Sequence, residues 1–98
     1  MARIAIHPGE HLADELTELG MSASELARTL RIPTNRVTEI IRGRRGISAD
    51  TALRLAQWIG TTPEYWLNLQ RNYELRLAEQ AHGEEIRREI KPLHVATT

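Results

Sequence analysis

The sequence predicts a small all-α domain built from five helices. Apolar residues recur at three- and four-residue spacings in five successive segments, and a Gly, a Pro or a capping residue bounds each segment. Two of these segments are short and separated by a tight break, which is typical of a helix-turn-helix over about residues 22–43. With 98 residues and 41% apolar content, the chain fits one globular domain with a modest core.

The first helix is predicted over residues 8–19. Pro8 suits a first helical position, because the N–H that it lacks would be unpaired there in any case. Leu12, Leu16 and Leu19 follow on one face, and Gly20 is expected to end the helix.

The second and third helices form the predicted helix-turn-helix. Ser22 and Glu25 have the spacing of a capping box, so the second helix is predicted to begin at Ser22. Pro33 is expected to stop it, and the third helix is predicted over residues 34–42. The inward-facing residues of the third helix are predicted to be Val37, Ile40 and Ile41.

The last two helices begin at recognisable caps. The fourth is predicted from a cap at Ser48 to Ile59, and the fifth from a cap at Thr62 to about Ala81. Aromatic residues occur only in this part of the chain, so aromatic packing is expected to concentrate there.

The C-terminal segment is predicted to lie outside the compact domain. Gly83 is expected to interrupt the fifth helix, so residues 82–98 are predicted to form a charged extension or tail of a domain that spans residues 1–81. Strand signals are weak: residues 2–6 alternate between apolar and other residues, and residues 93–96 are their candidate partner.

Positive charge is concentrated in the predicted helix-turn-helix. Residues 21–46 contain six Arg against two Glu, a net charge of +4, whereas the whole chain is neutral. A helix-turn-helix places its second helix in the DNA major groove, and a basic patch supplies the attraction to phosphate. This combination predicts a protein that binds double-stranded DNA.

The outward-facing residues of the third helix are the candidates for contacts with bases and phosphates. Asn35 can pair with adenine, Arg36 with guanine, and Glu39 can accept a hydrogen bond from cytosine. The candidate base contacts are Thr34, Asn35, Arg36 and Glu39. The candidate phosphate contacts are Ser22, Ser24, Thr38, Arg42, Arg44 and Arg45. An ordinary solvated helix face, followed by a solvated loop, is the alternative interpretation.

Aromatic and apolar residues late in the chain raise the question of an interface. Trp66 is expected in the core. Trp58, Tyr73 and Leu77 are candidates for a homodimer interface, because Trp and Tyr concentrate at such surfaces. Core packing is the alternative for Trp58 and Tyr73.

Nothing in the sequence indicates an enzyme, a metal site or a cofactor. The chain has no Cys, which excludes disulfides and thiolate sites. His7 and His11 have the spacing of a helical ligand pair, but no third ligand accompanies them, and they are expected to be surface residues at a helix start. No stretch approaches a membrane span or a signal peptide, so the chain is expected to be soluble and cytoplasmic, without contact to a membrane.

Four strings in order resemble one family closely. They are HPGE at 7–10, NRVTEIIRGRRGIS at 35–48, TALRLA at 51–56 and PEYWLNLQ at 63–70. Residues 8–69 resemble the lambda-repressor-like (XRE) helix-turn-helix fold, and the four strings are similar to HigA-type antitoxins of toxin–antitoxin modules.

The resemblance implies a dimeric autorepressor of its own operon that neutralises a small basic, ribosome-dependent endoribonuclease toxin. It places base contacts at Thr34, Asn35 and Glu39. The chain departs from the family pattern at Ala23, where relatives often have a phosphate-binding Gln, and at Pro33, where many have a capping Ser or Thr. A stand-alone transcriptional regulator without a toxin remains the alternative.

The first helix is the candidate surface for the toxin. Residues 1–20 carry Glu10, Asp14, Glu15 and Glu18 against one Arg, a net charge of −3. An acidic face suits a partner that must be basic to bind RNA, because complementary charge speeds association. A solvated helix face is again the alternative.

Overall fold

The structure is a computed structural model that describes residues 4–93. Over these residues the chain forms five α-helices and no strand, which confirms the predicted all-α class. The helices are α1 (Pro8–Leu19), α2 (Ala23–Leu30), α3 (Thr34–Ile41), α4 (Ala49–Ile59) and α5 (Pro63–Glu89). Most of the weakly predicted strand pair, residues 2–3 and 94–96, lies outside the described residues.

Four helices begin at a side-chain cap that accepts a hydrogen bond from a free backbone N–H group. The sequence predicted three of these caps. The Ser22 hydroxyl accepts from Glu25 N, and the Glu25 carboxylate accepts from Ser22 N, completing the predicted capping box. Ser48 and Thr62 cap α4 and α5 in the predicted manner. The cap of α1 was not predicted: His7 Nδ1 accepts from Gly9 N at 2.8 Å.

The turn between α2 and α3 has three residues, as fits the predicted tight break, but Pro33 does not end α2. The helix ends at Leu30, and Arg31 then adopts a left-handed conformation with φ 63°. That conformation costs an L-residue roughly 1–2 kcal/mol of free energy. Hydrogen bonds from Arg31 N to Arg28 O and from Ile32 N to Ala27 O stabilise the turn and offset this cost.

The core lies where α1 to α4 meet the first half of α5. Its largest side chain is Trp66, which is 1% exposed and donates from Nε1 to Thr61 Oγ1 at 3.0 Å, so the core placement predicted for Trp66 is confirmed. The other buried apolar residues are Leu12, Leu16, Leu26, Ala27, Leu30, Val37, Ile40, Ile47, Ala52, Leu55 and Ala56.

The sequence pattern placed Leu19 on the same face as Leu12 and Leu16, but Leu19 does not join the core. It is 56% exposed, in the last turn of α1. The chain turns at Gly20 in a left-handed conformation, and Met21 packs against the core instead.

Helix α5 is longer than predicted. It runs without interruption through Gly83 to Glu89, so the expected end at Ala81 is wrong. The Glu79 side chain lies over Gly83 and pairs with Arg87 at 2.7 Å, which bridges the position where a break was expected. The proposed boundary at residue 81 therefore falls inside a helix of 27 residues, about 40 Å long at the normal helical rise.

Only the first half of α5 packs against the rest of the domain. It contacts α4 and α1, whereas residues 84–93 are exposed along their length. The described chain accordingly measures 55 × 23 × 22 Å. Of the predicted C-terminal extension, residues 82–89 are helical, and residues 94–98 lie outside the described part of the chain.

Candidate DNA interface

The first turn of α3 presents exposed polar side chains beside a tightly buried apolar face. Thr34 and Asn35 are exposed, whereas Val37 and Ile40 are each only 1% exposed. Pro33 supplies no side-chain cap, as predicted, so free backbone N–H groups accompany these side chains at the start of the helix. This end of α3 can offer both side chains and helix-dipole charge to a DNA groove.

Arg36 is held in an ion pair that sequence reasoning missed. Its Nη1 lies 3.0 Å from Asp50 Oδ2 at the start of α4, and Arg54 Nε lies 2.9 Å from the same oxygen. These two arginines hold the pKa of the Asp50 carboxyl below its usual value, with the hydrogen bond from Arg54 as the larger cause. In the sequence, the i, i+4 spacing of Asp50 and Arg54 indicated the second of these ion pairs but not the first.

The same network closes the end of α2. Arg54 Nη1 donates to Leu30 O at 2.8 Å, so its guanidinium satisfies one of the free carbonyls there. The Arg36–Asp50–Arg54 cluster therefore joins the ends of three helices. A contact between Arg36 and a base, as the sequence suggested, requires the Arg36–Asp50 pair to open.

Glu39 and Arg45, predicted to contact bases and phosphates respectively, contact each other. Arg45 Nε and Nη2 lie 2.9 and 2.8 Å from Glu39 Oε1. The backbone N–H groups of Arg44 and Arg45 both donate to Glu39 O, which folds the chain tightly after α3. The three arginines of this loop, Arg42, Arg44 and Arg45, are exposed.

The remaining predicted phosphate contacts differ in how free their hydroxyl groups are. Ser24 is exposed at the start of α2. Ser22 uses its oxygen as the helix cap but keeps its hydroxyl hydrogen for a donor role. Thr38 is half-buried and donates to Asn35 O at 3.2 Å, so its hydrogen is already engaged within α3.

His7 and Gln70 hold the basic loop from other parts of the fold, a role that the sequence pattern did not predict for either residue. Gln70 Oε1 accepts from Ile47 N at 2.8 Å. His7 is 7% exposed, so the expectation of a surface histidine is wrong. Its ring lies edge-on to Tyr73 at 4.8 Å and beside Gly43. The position of His7 directly before a Pro at the first helical position was the available signal for its capping role.

Burial dominates the titration of His7. Desolvation lowers its pKa, while the charge of Glu10 and a hydrogen bond to the Arg45 backbone act in the opposite direction. The neutral ring also suits the cap, because Nδ1 accepts a hydrogen bond there only when it carries no proton.

The three candidate dimer residues do not form one surface. Trp58 is half-buried in a cleft between α2 and α4 that also exposes Leu53. Tyr73 is half-buried on α5, in a different cleft with Ile4, Ile6 and His11. Leu77, one turn after Tyr73, is 43% exposed.

Two further features of residues 4–93 are negative. No helix in this range is both long and apolar enough to cross a membrane. Nor do these residues bring three or more His, Asp or Glu side chains together in an arrangement that could hold a metal ion.

Comparison with known proteins agrees with this geometry. The helix-turn-helix family model matches residues 12–66. The addiction module antidote protein of the HigA family from Coxiella burnetii superimposes with a TM-score of 0.90 at 55% identity, over 95% of this chain and 100% of that one. The chain belongs to the HigA family of helix-turn-helix antitoxins.

Two other relatives extend the comparison. The Pseudomonas aeruginosa antitoxin HigA, whose structure was solved with the higBA promoter, gives a TM-score of 0.89 at 46% identity, over 93% of this chain and 100% of that one. Virulence-associated protein I of Dichelobacter nodosus is 51% identical over 78% of this chain and 71% of its own length. HigA antitoxins are DNA-binding regulators rather than enzymes.

Proposed function

We propose that this chain is an antitoxin that binds palindromic operator DNA as a homodimer, represses its own operon and neutralises a small basic endoribonuclease toxin. The observation that carries the DNA-binding part is the exposed first turn of α3 with the basic loop directly behind it. The P. aeruginosa HigA structure with promoter DNA supports the same role for this chain.

On DNA, α3 lies in the major groove with Thr34 and Asn35 nearest the base edges. Asn35 makes the bidentate contact to adenine. Glu39 releases Arg45 as the loop meets the backbone, so that Glu39 accepts from cytosine while Arg45 pairs with phosphate. Arg36 takes part in base contacts only where its pair with Asp50 opens.

Phosphate contacts surround this helix. Exposed arginines of the loop and hydroxyl groups at the start of α2 fix the register of α3 without themselves reading sequence, and the Thr38 hydroxyl joins them where its hydrogen leaves Asn35 O. These contacts are assigned to Ser22, Ser24, Thr38, Arg42, Arg44 and Arg45.

A homodimer is part of the proposal because one copy of so small a domain makes few phosphate contacts. Two copies related by a two-fold axis match a palindrome with half-sites about one helical turn apart. The surface around Tyr73 and Leu77 on α5 is the proposed contact. Trp58 lies in another cleft and belongs to this interface only if the dimer also covers α4.

The toxin is proposed to bind the exposed acidic stripe of α1. Glu10, Asp14 and Glu18 follow at four-residue spacing, opposite the buried Leu12 and Leu16. This stripe lies on a different helix from the DNA contacts, so toxin and operator have separate surfaces. Complementary charge favours a basic, RNA-binding partner there.

Co-expression with the product of the adjacent gene tests this function. We expect that product alone to arrest growth, and this chain to restore growth and to copurify with it. The absence of any toxic neighbour or copurifying partner would leave a stand-alone regulator as the function.

Charge reversal tests the toxin surface separately. Asp14→Lys with Glu18→Lys should weaken the complex and leave operator affinity unchanged. The matched control is Glu84→Lys with Glu89→Lys on the exposed end of α5, which changes the net charge equally. If both pairs weaken the complex equally, α1 is not the toxin surface.

A further inference from the structure

Gln70 connects α5 to the end of the basic loop through a single side-chain amide. Its Oε1 accepts from Ile47 N at 2.8 Å, and its Nε2 donates to Glu74 Oε2 at 3.0 Å. The two bonds use both ends of the amide, so the orientation of the group is fixed. The bond to Ile47 is partly buried, which strengthens it relative to an exposed pair, whereas the bond to Glu74 is exposed.

The loop is closely fitted to this amide. A Cβ atom added to Gly46 would lie 2.8 Å from Gln70 Nε2 and 3.0 Å from Gln70 Oε1. A side chain at position 46 would therefore require the Gln70 amide to shift from the position in which it accepts from Ile47 N. The absence of a side chain at Gly46 is what permits the approach.

The bond between Ile47 N and Gln70 matters for DNA binding because Ile47 lies close to the loop arginines in the chain. Ile47 is 4% exposed and follows Arg44 and Arg45 by two to three residues. Without Gln70 its partly buried N–H would lose this partner, which is costly to the extent that water cannot replace it. At its other end the loop is bonded to Glu39 O on α3. The segment that carries Arg44 and Arg45 is thus held by hydrogen bonds to α3 at one end and to Gln70 at the other.

We propose that Gln70 is a positioning residue for DNA binding: it touches no DNA, but it fixes the basic loop so that Arg44 and Arg45 meet the phosphates together. This inference rests on the proposed role of that loop in binding DNA. It gives α5 a second role, because the same helix carries the proposed dimer contact one and two turns further on, at Tyr73 and Leu77.

The central experiment compares three variants by affinity for operator DNA and for random DNA across a salt titration. Gln70→Met keeps the size of the side chain but removes the acceptor. We expect it to weaken both affinities by up to about tenfold, because DNA binding must then supply the order that this one hydrogen bond gave the loop, and to lower the salt slope. Gln57→Met, the same change at an exposed position on α4, should leave both affinities unchanged.

A charge-conserving swap separates positioning from general stability. Gln70→Glu with Glu74→Gln restores an acceptor for Ile47 N and a donor between positions 70 and 74, and it should recover most of the lost affinity. Hydrogen exchange of the Ile47 amide should accelerate in Gln70→Met and slow again in the swap. Urea titrations of each variant correct every affinity for the folded fraction.

Gly46→Ala provides an independent route to the same defect. It should weaken DNA binding like Gln70→Met, and the two changes together should be far less than additive, because both break one bond. Additive losses, or a Gln70→Met variant that binds like the parent once corrected for folding, would overturn the inference.

A failure of the inference is distinguishable from a failure of the proposed function. If Arg44→Ala with Arg45→Ala weakens binding while Gln70→Met does not, only the role of Gln70 is lost. If the double Arg variant binds random DNA as well as the parent does, the loop is not a phosphate contact and the proposed DNA surface itself is wrong.

Discussion

Arg45 and Glu39 form a two-point ion pair behind the first turn of α3. Both the Nε and the Nη2 of Arg45 lie within 3 Å of Glu39 Oε1, at 2.9 and 2.8 Å. Both side chains are partly exposed, so the pair itself contributes little to folding stability. Its importance is that each partner is a proposed DNA contact, and the pair occupies Glu39 Oε1 and the Nε–Nη2 edge of Arg45, which a bidentate contact to DNA would use.

Removing the charge of Glu39 should therefore release Arg45. We expect Glu39→Gln to strengthen binding to random DNA and to raise the salt slope by up to about one, because one more cation meets phosphate. Preference for cytosine at one position per half-site should fall at the same time. Glu18→Gln on α1 is the control for net charge, and equal effects of the two substitutions would show that the pair does not restrain Arg45.

Loss of the loop arginines should have the opposite effect. Arg44→Ala with Arg45→Ala should weaken binding to operator and random DNA alike, and lower the salt slope by about one for each lost phosphate contact. Filter binding over a range of salt concentrations measures both quantities. Unchanged affinity for random DNA would mean that these side chains are merely solvated.

His7 should make the stability of the fold depend on pH. Burial holds its pKa below the ordinary value of 6.5, so the unfolded chain binds more protons than the folded one as the pH falls through 6.5. The free energy of unfolding should then rise with pH and level off above that value. Below the folded-state pKa the contribution is fully lost.

Urea titrations between about pH 5 and 7.5 measure this dependence. His7→Asn keeps a capping side chain but cannot titrate, so its stability should be nearly flat over that range. His82→Asn, at an exposed position of α5, should retain the slope of the parent. A variant lacking His7 that keeps the parental slope would contradict the assignment.

The dimer surface on α5 can be tested with two leucines two residues apart. Leu77 is 43% exposed and Leu75 is 57% exposed, and they point to nearly opposite sides of the helix. Leu77→Glu should raise the dimer dissociation constant about tenfold or more, because the interface would have to desolvate a carboxylate. Sedimentation should show Leu75→Glu as an intact dimer; the reverse pattern would place the interface on the other side of α5.

Local sequence signals predicted the helix-turn-helix well. Ser22 and Glu25 specify the start of α2 through bonds only three residues apart, and Val37 and Ile40 mark the buried face of α3 by spacing alone. Side chains whose partners are distant in sequence could not be placed in this way. Gln70 and Ile47 are 23 residues apart, and nothing in either local pattern indicates that they meet.

The errors have the same origin. Gly83 weakens a helix locally, but the ion pair between Glu79 and Arg87 spans it, and α5 continues. Arg31 adopts a left-handed conformation that sequence statistics assign to Gly or Asn, so α2 ends before Pro33. In both places interactions with neighbouring residues outweigh the intrinsic preference of one residue.

The preference of the protein for each base of its operator, measured with Asn35→Ala, tests the central claim most directly. Asn35 is exposed in the first turn of α3, and its amide can pair with adenine. We expect a loss of about 1–3 kcal/mol on the operator and relaxed preference at one or two base pairs per half-site, with binding to random DNA unchanged. Asn68→Ala on α5 should leave the profile intact. A profile for Asn35→Ala that matches the parent at every base pair would show that α3 does not read the operator.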